Sequence, residues 1–173
     1  MDAARPPTLE AAAQAVSALF GRATMPGEIA NAVTRAYAGL PGEPPVVAVR
    51  SSATAEGLPS LSFAGQQETY LNIRGAQTVL EAVKRCWASL WTARATGYRA
   101  QHDIDQSSVS LAVVVQLLVP ANAAGILFTA NPLHGQLDQA MITAMWGLGE
   151  AIVGGIVSLY PRPCAARRCS RTL

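Results

Sequence analysis

Between Val46 and Ile73 the chain reads VVAVRSSATAEGLPSLSFAGQQETYLNI, an apolar run that ends on Arg50 and opens into Ser51, Ser52, Thr54, Ser60, Ser62 and Gly65. A guanidinium is a permanent two-pronged donor matched to phosphate oxygens, and small hydroxyl residues add donors while leaving room for backbone amides. Gly65, between Ala64 and Gln66, allows a backbone turn that a side chain would block. Phosphate binding is the chemistry these residue types support. The same composition also fits a serine-rich surface loop with an ordinary ion-pairing arginine, and composition does not separate the two. Spacing excludes other chemistries. Lys84, the one lysine, follows no glycine, so a GxxxxGK[ST] phosphate loop is absent. Gly147 and Gly149 are followed by Ile152 where a dinucleotide fingerprint needs a third glycine, and neither GxSxG nor HExxH occurs. His102 and His134 read as loop residues, and Glu56 as a solvated loop carboxylate.

The elements that position Arg50 follow from hydrophobic period. Leu9, Ala12, Val16 and Leu19 recur at helical spacing behind Thr8, predicting a helix to about Phe20. A second helix opens near Pro26 and closes at Gly39-Leu40-Pro41, with Ile29, Val33, Ala36 and Tyr37 on one face. Pro44–Val49 reads as a short buried strand ahead of a loop from Arg50 to Gly65, and Glu68–Ile73 alternates as a second strand. Val79, Leu80, Val83, Trp87, Leu90, Trp91 and Tyr98 form one stripe, predicting a single helix over 76–101 with Arg85, Arg94 and Arg99 on its solvated face and Cys86 an inert buried thiol. Strands follow near Val109–Leu118, Ala124–Thr129 and Gln139–Trp146, then the turn Gly147-Leu148-Gly149-Glu150 and an apolar element, Ala151–Val157. Helices first and strands afterwards imply mixed α and β with a largely antiparallel sheet.

Composition narrows the class. The chain has 173 residues, 50% of them hydrophobic and 14% charged, which is a folded rather than a disordered composition. Thirteen basic against eleven acidic residues give +2, but Arg162, Arg167, Arg168 and Arg171 lie in the last sixteen positions; without them nine basic face eleven acidic residues, and +2 becomes −2. The body therefore lacks a basic surface for nucleic acid. Gln106–Leu137 carries no Asp, Glu, Lys or Arg, yet Gln116 and Pro120-Ala121-Asn122 interrupt it, so it reads as two buried strands and a turn rather than a membrane span. No basic end is followed by an apolar stretch at the N-terminus, so a cytoplasmic protein is expected. Residues 158–173 hold four arginines, two cysteines and two prolines without periodicity. That is the composition of GC-rich DNA read out of frame, and a basic tail, disordered or frame-shifted, is expected there.

The motifs Val-Arg-Ser-Ser-Ala-Thr-Ala-Glu at 49–56, Ser-Phe-Ala-Gly-Gln at 62–66 and Thr-Tyr-Leu-Asn-Ile at 69–73 come in one order with Arg-Cys-Trp-Ala-Ser-Leu-Trp at 85–91 and Val-Val-Val-Gln at 113–116. Gly-Ile-Leu-Phe-Thr-Ala-Asn-Pro at 125–132 and Trp-Gly-Leu-Gly-Glu-Ala at 146–151 complete the series. Over residues 8–157 this wording resembles the N-terminal nucleotide-binding domain of the pyruvate phosphate dikinase and phosphoenolpyruvate synthase family, nearest its rifampicin phosphotransferase branch. The resemblance implies an α/β (α+β) ATP-grasp-like fold, an incomplete domain with helices packed on a largely antiparallel sheet. It implies ATP and Mg2+ as ligands, and phosphoryl transfer from ATP to a histidine on a separate domain that passes it to pyruvate, phosphate, water or a drug hydroxyl. By the same resemblance Arg50 holds phosphates, Gly65 and Thr69 belong to the loop covering them, Gln116 lies on the adenine side and Thr129 faces the nucleotide. Glu150 is the candidate for the phosphate or metal environment. The family's phosphate-binding lysine precedes the point matched by residue 8, and its late acidic residue and Gln-x-Arg strand follow 157. The expectation is a domain truncated at both ends, its missing segments on a neighbouring chain. The alternative is a catalytically inactive remnant, or one half of a split protein serving as a binding or assembly module.

Overall fold

The computed structural model of the protein describes residues 6–53, 68–132, 134–153 and 162–165, which form two units, Met1–Leu118 and Val119–Leu173. Gly65 and the neighbouring serines, threonine and glutamate of the 54–67 segment lie outside the described residues, as does most of the 158–173 tail.

The first unit contains α1 (Pro6–Arg22), α2 (Gly27–Ala38), β1 (Val46–Ala53), β2 (Thr69–Arg74), α3 (Ala76–Ser89), α4 (Ala93–Gln101) and β3 (Leu111–Leu117). Its sheet is antiparallel in the order β2-β1-β3. One face packs on α3, where Val47, Val49, Ile73, Val79, Ala82, Val83 and Cys86 form the core, with Met25 and Tyr37 at its edge. Burial alternates along β3, so Val113 and Val115 pack on that core while Val114 and Gln116 point away from it. This is the period-two pattern of a strand with one covered face.

Three departures from the sequence expectations have local causes. The strand from Val46 runs on through Arg50 and Ser51 to Ala53, because β2 pairs with it as far as Arg50 and β3 from Val47 on to Ala53. The single helix over 76–101 is broken at Leu90–Thr92, where the Thr92 hydroxyl accepts a hydrogen bond from the Ala95 amide at 3.2 Å and caps a new helix. Breaking the helix turns its second half, so Ala95 and Arg99 become the buried positions of α4, and Arg99 is not on a solvated face. Trp87, Trp91 and Tyr98 are half-buried at its flanks rather than fully in the core.

A buried hydroxyl ties this unit together. Tyr37 donates to the Pro45 carbonyl at 2.6 Å and accepts from the Gly75 amide at 2.7 Å. One atom thereby joins α2, the entry to β1 and the start of α3. Tyr37→Phe is expected to leave the Gly75 amide unpaired and to lower unfolding stability by about 1–3 kcal/mol in denaturant titration, with the spectrum of the folded state unchanged.

The second unit holds β4 (Ala123–Phe128), β5 (Gln139–Trp146), the short α5 (Glu150–Val153) and β6 (Arg162–Ala165), in an antiparallel sheet β4-β5-β6. No element was expected beyond 157, yet four residues of the tail pair with β5, from Gln139↔Ala165 to Ile142↔Arg162. Gln106–Leu137 resolves into β3, β4 and their connection, although the strands are half-exposed and belong to different sheets. Among the described residues no helix is long and apolar enough to cross a membrane. In this second sheet, Leu127, Ile142 and Trp146 share an exposed face by register.

Candidate functional site

Arg50 stands in the middle strand of the first sheet, opposite Thr69 of β2 on one side and Val114 of β3 on the other. Ala48, two residues earlier, is opposite Gln116. Strand period therefore puts Arg50, Thr69 and Gln116 on one face, the face not covered by α3, and all three are exposed. Directly opposed residues in an antiparallel pair have Cβ atoms about 4.5–5.5 Å apart, so Arg50 and Thr69 can share one ligand group.

A bulge makes this possible. Val47 pairs with Ile73 and Val49 with Tyr70, so three steps along β2 match two along β1, and Leu71-Asn72 together face Ala48. In an unbulged strand Thr69 and Ile73 would lie on the same face. The extra residue reverses the parity: Ile73 and Tyr70 both turn to the helix side, while Thr69 stays with Arg50. Asn72 takes the left-handed backbone conformation there, with φ of 57°, which asparagine tolerates better than other residues with side chains.

Thr129 lies in the second unit, exposed and one residue past the end of β4. Glu150 begins α5, also exposed, after a glycine turn held by the Gly147 amide donating to the Asn122 carbonyl at 2.8 Å. Asn131, in the same motif as Thr129, is buried and anchors the β4–β5 connection: its amide donates to Gln136 and its side chain to Gln139. Among the described residues no three of the His, Cys, Asp and Glu side chains form a group that could hold a metal ion. A single carboxylate does not make a protein-built Mg2+ site, because that ion takes octahedral oxygen ligation, completed by water and substrate phosphates. The described residues thus do not fit a metal held by the protein alone.

The helix side of the first unit carries different chemistry. A cleft of about 660 Å³ lies among α1, α3 and β2, lined in part by Phe20, Glu68, Tyr70, Lys84 and Arg85. Lys84 is committed: its Nζ donates to the carbonyls of Gly21 at 3.3 Å and Ala23 at 3.2 Å and pairs with Glu81 at 3.1 Å. It holds the C-terminal end of α1, where a cation also meets the negative end of the helix dipole. Arg85 lies over the Tyr70 ring, 4.1 Å from its centroid. Burial raises the Tyr70 hydroxyl's pKa, and Glu68 adds to the shift.

Cys86 is fully buried, as the helix stripe predicts, and burial first and Glu68 second push its thiol from an ordinary 9.0 up to about 11. The neutral thiol is what the fold stabilises. That contribution is complete below the unfolded thiol's pKa and declines as pH rises from about 9 to about 11. A Cys86→Ala variant should therefore show a flatter stability profile over that window. Maleimide labelling of Cys86 at pH 8, read by peptide mass apart from Cys164 and Cys169, should proceed only as fast as unfolding exposes its sulfur.

Neither Lys84's capping role nor Arg99's burial was read from the sequence. Both follow from where one helix stops and the next starts, which apolar spacing alone does not mark. Ser51 carried a signal: it shares the parity of Val47 and Val49, and it is buried as they are.

Helices layered on one face of an antiparallel sheet make a mixed α/β domain of the ATP-grasp-like class. The chain belongs to the pyruvate phosphate dikinase AMP/ATP-binding domain family, whose model matches residues 1–159. It is 54% identical over 149 residues to a phosphoenolpyruvate synthase of Pyrococcus furiosus, covering 84% of this chain and 18% of that protein. It is 49% identical over 158 residues to a phosphoenolpyruvate synthase of Aeropyrum pernix, covering 89% of the chain and 19% of the relative. A rifampicin phosphotransferase of Streptomyces sviceus is 53% identical over 134 residues, 78% of this chain and 15% of its own length. The chain spans less than a fifth of the length of these three relatives.

Proposed function

We propose that this chain binds ATP with its phosphates on the face of the β2-β1-β3 sheet turned away from α3. It does so as the nucleotide-binding part of a phosphotransferase that moves a phosphoryl group from ATP to a histidine on a separate domain. The observation that carries the reading is the cross-strand pair Arg50–Thr69, with Gln116 on the same exposed face. Phosphoryl transfer needs alignment and charge neutralisation more than covalent chemistry, and a guanidinium fixed on a sheet supplies both. Arg50 donates to the phosphate oxygens, Thr69 adds a hydroxyl beside it, and Gln116 offers amide groups to the base. Thr129 and Gly65 are assigned to the nucleotide, and Glu150 to the phosphate or Mg2+ environment, on motif wording. A Mg2+ ion carried on the phosphates would neutralise part of their charge. The acceptor of the phosphoryl group belongs to the rest of such an enzyme.

Calorimetric titration with ATP, with and without Mg2+, tests the reading. Saturable binding that AMP displaces is the expected result. No heat of binding up to millimolar ATP in either condition overturns it.

A further inference from the structure

The geometry points to Ser51 as a positioning residue for this site: its hydroxyl fixes the strand register that sets Arg50 beside Thr69. The inference rests on the ATP reading above. Ser51 follows Arg50 on β1 but faces the opposite way, onto the helix-covered side, where it is 2% exposed. A hydroxyl in such a place must find a partner or destabilise the fold. Its partner is the backbone of Glu68, the residue just before Thr69. The Ser51 amide donates to the Glu68 carbonyl at 3.1 Å. The Glu68 amide donates to Ser51 Oγ at 3.2 Å, and Oγ lies 3.4 Å from the Glu68 carbonyl, within reach for donation. One side chain thus engages both polar groups of one peptide residue.

Position gives this clamp its consequence. Among the described strands β2 is at the edge of its sheet, so β1 alone sets its register. The bulge at Leu71-Asn72 interrupts that ladder on one side of the Arg50–Thr69 pair. On the other side the next pair is Ser51–Glu68. Arg50 and Thr69 are therefore held between an irregular stretch and the serine clamp. A slip of one residue would turn Thr69 to the far face and leave Arg50 without it.

The test is a double-mutant cycle read by ATP titration of the full chain. Ser51→Ala should bind ATP about three- to tenfold more weakly, the range one intramolecular hydrogen bond commonly carries. The double variant Ser51→Ala with Arg50→Ala should bind no more weakly than Arg50→Ala alone, because the serine acts through the arginine. Ser89→Ala serves as the control. It removes another buried hydroxyl, which donates to the Cys86 carbonyl at 2.7 Å, and should bind like wild type after the same kind of loss in stability. Wild-type affinity in Ser51→Ala, or losses that multiply in the double variant, would overturn the assignment. Should Ser51→Ala not fold, Ser51→Thr retains the hydroxyl and should keep affinity within twofold of wild type; a threonine variant that folds and binds tenfold more weakly overturns it too. Absence of ATP binding by wild type removes the ATP reading and this one with it, whereas binding that is indifferent to Ser51 removes this one alone.

Discussion

Arg50→Ala is expected to weaken ATP binding by about 10- to 100-fold while leaving the thermal midpoint within a degree or two of wild type. The side chain is exposed on the face of the sheet turned away from α3, so its removal costs little packing. On the proposed reading its worth lies in charge-assisted hydrogen bonds to phosphate oxygens, each about 1.5–3 kcal/mol, and 1.4 kcal/mol is a factor of ten. Arg50→Lys should recover only part of the loss, since an ammonium delivers the charge without the planar fork. The loss should shrink from ATP to AMP as phosphates are removed. Calorimetry on the three proteins with both nucleotides measures it, and an Arg50→Ala chain that binds ATP like wild type would remove Arg50 from the site.

Arg99→Met lowers stability by about 2–4 kcal/mol, which for a chain of this size is roughly 5–15 °C in thermal midpoint. Arg99 is only 1% exposed. Its Nε donates to Gln106 Oε1 at 2.6 Å, and its Nη2 donates to the Leu90 carbonyl at 2.6 Å and to Thr96 Oγ1 at 3.5 Å. Gln106 in turn donates to the Thr96 carbonyl at 3.2 Å. The guanidinium also lies 5.7 Å from the centre of the Trp91 ring. Burial pushes its pKa down, yet a guanidinium starts so high that it stays charged through any ordinary pH range. Methionine fills the volume but leaves the partly buried Leu90 carbonyl and Gln106 without their charged donor. Arg99→Lys should not rescue, because one ammonium cannot span acceptors arranged for a fork. A thermal midpoint unchanged within 2 °C would mean that water replaces the guanidinium and that the network carries no stability.

The contrast between these two arginines shows what the sequence made legible. Arg50 follows an apolar strand, and its residue type beside small hydroxyl residues marks it as a phosphate candidate, although composition placed it at the start of a loop rather than within the strand. Arg99 looks like a solvated residue on a long amphipathic helix until Thr92 is seen to start a new one. The helix break is a matter of a single capping hydrogen bond, and no apolar period records it. Thr69 was assigned to a phosphate site through its motif, but the reason it can be there is the bulge at Leu71-Asn72. A strict alternation of β2 would have placed it with Ile73, facing the helices. Bulges change parity without changing composition, which is why the face of an edge strand is hard to read in advance. The strands near Val109, Ala124 and Gln139 were legible because β-branched and apolar residues run between clear turn signals. Their division between two sheets was not, since pairing partners depend on residues far apart in the chain. The strand at Arg162–Ala165 had no signal at all: its residues alternate nothing, and pairing with β5 alone defines it.

On the proposed reading, the face of the β2-β1-β3 sheet turned away from α3 receives the phosphates of ATP. Amide-shift mapping of the nitrogen-labelled chain during titration with ATP tests it most directly, because each strand residue reports separately. The account predicts saturable shifts at Arg50, Thr69 and the Val114–Gln116 stretch of β3, with the amides of α1 unmoved. Saturable shifts confined to α1 and α3 around Phe20, Lys84 and Arg85, on the helix side of the sheet, would contradict it.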